Sequence, residues 1–363
     1  MNGQKNRRIL LAPLDWGLGH ATRCVPIVRS LRENGHELVL AADGAVAALL
    51  RSEFPNIGIK ALKGYGIRYS KNASLAGTML QQLPGMLQSI KREQQWLDEL
   101  LTNEHFDLII SDNRPGFYSK QVPSVYITHQ LLIHSGKGKW LNSLLQQLHN
   151  RYIKNFNSVW VPDLAGTLNL AGELAHPQKQ LVQPVYLGLL SRMQATSSEV
   201  KYDLMILLSG AEPQRTILEE KLIAGLSSFS GTVLLVRGLP DAVTSLQLPQ
   251  HITVHNHLPA ALLQEAISSS QLIMCRSGYT TLMDLVRLNK KAVLIPTPGQ
   301  PEQEYLAEHM QQQQLFPFLK QGKVNVENAM RVAANFPYQN PFTDADFESY
   351  KTVIQQQVEL LVR

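Results

Sequence analysis

Cysteine is almost missing from this chain, and the two that occur, Cys24 and Cys275, cannot build a disulfide framework. A small secreted fold held by bridges is excluded; each thiol lies beside a glycine turn and reads as a buried filler or a free thiol. Long hydrophobic runs are missing too. None approaches the roughly 20 residues needed to cross a bilayer, and the apolar segment from Ile9 to Leu14, behind a polar and basic start, is too short for a signal peptide. Cytoplasmic residence is the expectation. Aromatic residues are 7% of the chain and do not interleave with basic runs as single-strand binding requires, so no nucleic-acid partner is expected.

What is present is the composition of a globular protein, 44% hydrophobic and 17% charged, over 363 residues. That length exceeds one ordinary core and fits two domains. The net charge of +5 sits unevenly: residues 1–190 carry 20 Lys/Arg against 13 Asp/Glu, leaving 14 of the 34 basic and 16 of the 29 acidic residues for the remainder. A basic first half suits an acidic partner such as a lipid headgroup, a phosphorylated acceptor or, on charge alone, a nucleic acid, although a mildly basic surface is also common.

Apolar, β-branched runs recur at Arg8 to Leu14, Glu37 to Ala42, Ile57 to Leu62, Phe106 to Ser111, Ser124 to Thr128 and Ser158 to Pro162. Helical patterns such as Cys24 to Glu33 and Ala73 to Leu101 separate them. Strand and helix in alternation predict a parallel sheet covered on both faces. The pattern stops at the polar stretch Ser191 to Lys201, read as a linker, and restarts with Asp203 to Leu208, Thr232 to Arg237, Ile252 to His255, Leu272 to Cys275 and Ala292 to Pro296. The expected organisation is therefore α/β, with two doubly wound, Rossmann-like domains over residues 1–190 and 202–341 joined by a linker over 191–201. The tail, 342–363, has a helical period, with Asp344 or Asp346 as its cap, and is expected to return to the first domain.

In open parallel sheets, ligands bind beyond the carboxyl ends of strands, where helix N-termini present unpaired N–H groups. Gly17-Leu18-Gly19-His20 stands at such a turn. The glycines let backbone approach a ligand, and the imidazole of His20 titrates in the range useful to a general base; the plainer reading is a cap or a packed ring. Asp112 and His129 each end a predicted strand of the same half. Either can orient His20, hold an acceptor or act as base, as can Asp15, or each can satisfy a loop. A nicotinamide fingerprint would also begin Gly17-x-Gly19, with Asp43 for the ribose, but Thr22 stands where its third glycine belongs.

In the second half, Ser209, Gly210 and the N–H groups after them are placed to hold a diphosphate, with Arg215 adding charge and Pro213 suited to a first helical turn. Arg276-Ser277-Gly278-Tyr279-Thr280-Thr281 repeats the arrangement. Asp284 lies one turn on from Thr280, suited to ribose hydroxyls, or else it is a surface residue favoured by the helix dipole. Gln300, Glu302 and Gln303 follow Pro298-Gly299 at a helix start, where amide and carboxylate groups suit vicinal sugar hydroxyls. Lys137, Lys139, Trp140, Leu141, Leu144, Leu145, Arg151 and Lys154 form a basic, apolar stretch able to lie on an anionic leaflet, or to be a helix with one solvated face.

Taken in order, the Gly-x-Gly-His turn, the Ser-Gly-x-x-Pro loop, the Arg-Ser-Gly-x-x-Thr-x-x-x-Asp helix start and the Pro-Gly-Gln-x-Glu-Gln segment resemble GT-B glycosyltransferases of family 28. That family includes N-acetylglucosaminyltransferases of peptidoglycan synthesis. The likeness runs from Ile9 to Met310 and is strongest from Leu272 onward. It implies two domains facing a cleft and an inverting transfer from a nucleotide-sugar donor, UDP-sugar foremost, to an acceptor glycan or lipid-linked sugar of the cell envelope. By the resemblance, Ser209, Gly210, Thr280 and Thr281 meet the diphosphate, Asp284 the ribose where the family carries Glu, Glu302 and Gln303 the sugar, and His257 and Leu258 the base. His20 serves as catalytic base, and no cofactor or metal is implied. The same Gly-x-Gly-His turn followed by Arg-Cys also resembles nucleotide-sugar hydrolases of this fold, and an NAD-linked oxidoreductase or a non-catalytic binding protein are the remaining alternatives.

Overall fold

Strands rich in Ile, Leu and Val order the first half of the computed structural model, which describes residues 6–66, 75–136, 138–179, 182–195, 198–240, 242–243 and 246–363. Among the described residues the elements run β1 (Arg8–Pro13), α1 (Leu18–Glu33), β2 (Glu37–Ala42), α2 (Gly44–Glu53), β3 (Gly58–Ala61), α3 (Leu75–Asn103), β4 (Leu108–Asp112), β5 (Ser124–Ile127), α4 (Lys139–Ile153), β6 (Ser158–Val161) and β7 (Pro184–Tyr186). The strands pair in the order β3-β2-β1-β4-β5-β6-β7, all parallel. Ile9, Leu10, Leu11 and Ala12 are all fully buried. A strand without an exposed face is what helices on both sides of a parallel sheet demand. Because β1 and β4 are neighbours while the chain leaves β1 toward β2, strand order reverses between them. That makes a topological switch point at their carboxyl ends.

The second sheet belongs to a separate compact unit, Met193–Thr343. It runs β8 (Tyr202–Leu207), α5 (Gln214–Leu226), β9 (Val233–Val236), β10 (Ile252–His255), α6 (Ala260–Ser268), β11 (Ser270–Cys275), α7 (Tyr279–Arg287), β12 (Lys291–Leu294), α8 (Pro301–Gln312) and α9 (Val326–Asn335). Its order is β10-β9-β8-β11-β12, again all parallel, with the reversal between β8 and β11. Its core gathers Leu204, Ile206, Leu218, Leu222, Val233, Leu235, Met274 and Val293. Asp344–Arg363 is assigned to the first unit. There α10 (Ser349–Leu361) buries Tyr350, Ile354 and Val358, and Ser349 donates its hydroxyl to the carbonyl of Leu187 at 3.1 Å.

Several sequence readings need correction. Helix α1 begins at Leu18, six residues before Cys24, so His20 lies within its first turn. Helix α2 and strand β7 had no counterpart in the pattern, because one is short and the other only half buried. Asp43 caps α2, its carboxylate accepting from the Gly44 N–H at 2.7 Å. Neither Asp344 nor Asp346 caps the last helix: both lie in a 3₁₀ turn, Asp344–Phe347, and Glu348 occupies the cap position. Pro213 is the cap residue of α5 and stands just outside its first turn. Around the expected linker, Leu187, Leu189, Leu190 and Met193 are buried, so the segment entering it is packed. Residues 196 and 197 of that linker, 73 and 74 of the expected long helix, and Lys137 lie outside the described residues.

Candidate active site

At the first switch point, β1 delivers the turn that opens α1 and β4 delivers Asp112. Gly17 caps α1 with φ 85° and ψ 173°, a region that only glycine occupies at ease, and the first turn of the helix carries no acid. This conformation swings His20 toward the end of β4. The ring Nδ1 lies 3.0 Å from Oδ2 of Asp112, a carboxylate with no solvent exposure.

Arg23, one helical turn beyond His20, completes the cluster. Its Nε donates to Asp112 at 3.0 and 3.1 Å, one terminal nitrogen pairs closely with Oδ1, and the other meets Nδ1 of His129 at 2.9 Å. The nitrogen that pairs with Oδ1 also lies 2.9 Å from Nδ1 of His20. Cys24 donates its thiol to Asp112 at 3.6 Å and is a buried filler, its pKa raised by burial and by the same carboxylate. Burial alone would push the Asp112 carboxyl up; Arg23 and His20 outweigh it and hold it at about 2. Burial and the Arg23 cation lower the His20 pKa, with Asp112 opposing them. Asp112 favours a proton on Nδ1 while the Arg23 N–H facing the same nitrogen opposes it; in the tautomer that donates to Asp112, Nε2 is the nitrogen free to accept a proton. Arg23 was invisible as a site residue in the sequence, although its i+3 spacing from His20 is the signal that finds it.

Asp15 does not join this cluster. Its carboxylate accepts from the Tyr65 N–H at 3.1 Å and faces Arg114 at 3.9 Å. Arg114 pairs closely with the buried Glu93 and donates to the carbonyls of Pro13 at 3.2 Å and Lys63 at 3.1 Å. Tyr65 donates its hydroxyl to Glu93 at 2.6 Å. This second buried ion pair fastens α3 and the segment before it to the root of the Gly17 turn.

In the second unit, Ser209 and Gly210 follow β8 and are exposed, and Arg276 and Ser277 follow β11 beside them across the switch point. Helix α7 starts on Gly278 with no side-chain cap bond and no acid in its first turn, so its leading N–H groups, at Tyr279 to Thr281, point out of the helix unshielded by charge. Gly278 sits at φ −73° and ψ 138°, which any residue adopts, and an added Cβ would meet only the Thr281 hydroxyl, at 3.9 Å. Neither backbone nor packing asks for glycine there; room above the helix start does. Asp284 is buried at 8% exposure, which removes its reading as a surface residue. Ser277 donates to the carbonyl of Gln303 at 2.7 Å, and Gln303 accepts from the Thr297 N–H at 2.9 Å. These two side chains thereby fix the β12–α8 loop, with Gln300 as cap residue and Glu302 in the first turn. Arg215 is engaged by its own helix: it pairs with Glu212 at 2.5 Å and Glu219 at 3.2 Å. His257 is exposed and Leu258 buried, both beyond the end of β10.

With the geometry in view, residues 245–334 match the glycosyltransferase family 28 C-terminal domain. The second unit therefore carries a glycosyltransferase family 28 domain, and the chain is a glycosyltransferase of GT-B fold. The solved glycotransferase of kitacinnamycin superposes on the enzyme with a TM-score of 0.67 at 14% identity, over 98% of each chain. The spinosyn rhamnosyltransferase SpnG, complexed with thymidine diphosphate, gives 0.62 at 13% identity, over 98% of this chain and 96% of that one. MurG of Acinetobacter baumannii gives 0.55 at 13% identity, over 98% and 99%. At such identities these neighbours speak for the fold, and the matched domain speaks for the enzyme class. None of the curated proteins compared matches the sequence.

Proposed function

We propose that this glycosyltransferase moves a sugar, N-acetylglucosamine foremost, from a UDP-sugar to a hydroxyl of a cell-envelope glycan, lipid-linked sugar or related glycoconjugate, with inversion. The observation that carries the proposal is the contact of His20 Nδ1 with the buried Asp112 carboxylate at 3.0 Å, at the mouth of a helix with no side-chain cap bond. Nε2 of His20 takes the proton of the acceptor hydroxyl as its oxygen bonds to the anomeric carbon. The bond from that carbon to the diphosphate breaks, and the nucleoside diphosphate leaves. Asp112 stabilises the imidazolium formed, while the N–H groups at the start of α7 and the Ser209–Gly210 turn stabilise the leaving charge. Asp284 takes the ribose, His257 and Leu258 border the base, and Glu302 with Gln303 hold the sugar. Asp15 and His129 remain on the acceptor side, as supports of the loop and of Arg23. The transfer needs no metal and no cofactor.

A thymidine-diphosphate complex of a structural neighbour supports a nucleoside diphosphate as leaving group. The test is incubation with a panel of UDP- and TDP-sugars, with and without glycan acceptors. Product formed only with acceptor is the expected result. Acceptor-independent release of free sugar that disappears in His20→Ala would replace transfer by hydrolysis.

Cytoplasmic residence with contact at the inner membrane face is part of the same proposal. Among the described residues no helix is long and apolar enough to cross a membrane. Helix α4 exposes Trp140 at 78% and Leu144 at 44%, and Lys139, Arg151 and Lys154 are exposed beside them. An apolar edge ringed by cations suits an anionic leaflet. Retention of all the protein in the soluble fraction on flotation with anionic vesicles would remove this part.

A further inference from the structure

Loops at a switch point carry function and are ordinarily the mobile part of it, yet the loop after β5 is held on two sides. It begins with His129, which is buried and whose Nδ1 meets Arg23 at 2.9 Å. Arginine only donates, so this Nδ1 accepts. From there the backbone runs along one face of α4, and three side chains of that face bond to it in turn. His149 Nε2 lies 3.0 Å from the carbonyl of Gln130. Gln146 donates an amide N–H to the carbonyl of Leu131 and accepts from the Ile133 N–H, both at 2.8 Å. Its second N–H goes to Asn150 at 2.9 Å, which fixes the orientation of the amide. Asn142 accepts from the Ser135 N–H at 2.8 Å and from its hydroxyl at 2.5 Å. On the other side, the N–H groups of Leu131 and Leu132 donate to the carbonyl of Leu174 at 2.7 and 2.9 Å.

Positions 142, 146 and 149 recur at helical spacing, so this stripe of α4 is written in amides and an imidazole where aliphatic side chains would ordinarily stand. Gln146 holds a carbonyl and the N–H two residues on with one rigid group, which fixes the backbone between them. Burial pushes the His149 pKa down to about 4, so the ring is neutral near neutral pH, and because a carbonyl only accepts, its proton is on Nε2. Gly136 and Gly138, at φ 68° and 100°, turn the chain back from the loop into the helix. We propose that Gln146, with Asn142 and His149, is a positioning residue of the transfer: α4 acts as a splint for the loop after β5, and the loop keeps His129 on Arg23 and Arg23 on the Asp112–His20 pair. The inference rests on the transfer reading for the use of that pair. It adds a helix, distant from the pair in the chain, that holds the pair in register.

The test follows the His129 ring by NMR of the full chain with nitrogen-labelled histidine, its signal assigned by loss in His129→Gln, beside calorimetry of UDP and kinetics on the donor and acceptor that the sugar panel yields. Gln146→Met removes both loop bonds at nearly constant shape, Gln146→Glu keeps the acceptor and loses the donor, and Gln147→Met makes the first change at an exposed neighbour. In Gln146→Met the His129 Nδ1 should lose the signature of an accepting nitrogen, and kcat should fall on the order of tenfold at unchanged UDP affinity. Gln146→Glu should fall between that variant and the unaltered protein, which Gln147→Met should match. A His129 signal that stays in place in Gln146→Met overturns the splint, as does a kcat that holds while the urea midpoint drops. A protein that transfers to no acceptor removes the transfer reading, and the His129 signal then still decides whether α4 holds the loop. Should Gln146→Met fail to fold, Gln146→Glu must move the His129 signal and lower kcat; a stationary signal overturns the proposal.

Discussion

Each switch point holds a buried arginine with different partners, Arg23 at the first and Arg276 at the second, and the contrast between them separates the two sites. Arg23 meets a carboxylate, Asp112, and the pair is close to neutral around His20, the base of the proposed mechanism. Arg276 meets only carbonyls and remains a cation. A site that moves a proton benefits from a compensated field, in which a small change of charge has large consequences. A site that receives a multiply charged leaving group benefits from an uncompensated one. On the proposed mechanism the same sheet topology supplies both, and the partner of one arginine distinguishes them.

The sharpest way to break this comparison is to remove the proton acceptor. His20→Ala should lower kcat by about 10²–10⁴-fold and leave calorimetric UDP affinity intact; a loss of binding in place of rate would move His20 to the donor side. Asp112→Asn should follow in direction, since an amide no longer holds the proton on Nδ1 or balances Arg23.

Next in size is Arg23→Met. It leaves Asp112 as a buried, unbalanced charge, a change that costs about 3–5 kcal/mol in chemical unfolding. The milder Arg23→Gln tests the field on His20. Burial and Arg23 depress its pKa, so the acid limb of kcat/KM should lie below the ordinary histidine range near 6.5. Without Arg23 the limb should move to higher pH, and a limb that stays in place would show that Arg23 only packs. Asp112 contributes in the opposite window. Its carboxyl falls from about 3.9 unfolded to about 2 folded, so its stabilisation is complete above the unfolded value and disappears as pH drops through the folded one. Urea midpoints between pH 5 and 2 should show this loss, and Asp112→Asn should flatten it.

Smaller effects distinguish the two glycines. Gly17→Ala forces a side chain into a glycine-only conformation and should cost about 1–3 kcal/mol. Gly278→Ala should leave melting nearly unchanged, because its backbone is ordinary and the space is open, yet weaken UDP binding. If both variants lose stability equally, the space above α7 has a structural cause. Smallest of all, Trp140→Ala should not alter melting or transfer to a soluble acceptor, and should only reduce the fraction that floats with anionic vesicles.

Most of the architecture was legible because parallel strands buried on both faces are written as uninterrupted apolar runs: Ile9 to Ala12 and Leu272 to Cys275 needed no tertiary information. Helix α2 and strand β7 escaped because neither carries a periodic signal strong enough to stand alone. At the candidate site, the meeting of His20 with Asp112 and the start of α7 on Gly278 follow from places just beyond strand ends, which the sequence showed. The states of Arg23 and Arg276 were not legible there, since what distinguishes them is a partner or the lack of one, and partners come from elements distant in the chain. Arg215 shows the converse: its basic charge beside a promising turn was plain in sequence, and its neutralisation by Glu212 and Glu219 was not.

The return of Asp344–Arg363 to the first unit bears on the order in which the protein is made. During synthesis the second unit has all its strands, which lie between Met193 and Thr343, in hand before the ribosome reaches α10. The strands of the first unit emerge earlier, but the helix that buries Ile354 and Val358 follows the second unit in the chain. The first unit therefore cannot complete its core before the second has been made, and an interruption between Thr343 and Ser349 should leave a folded second unit attached to a first unit whose core is still open.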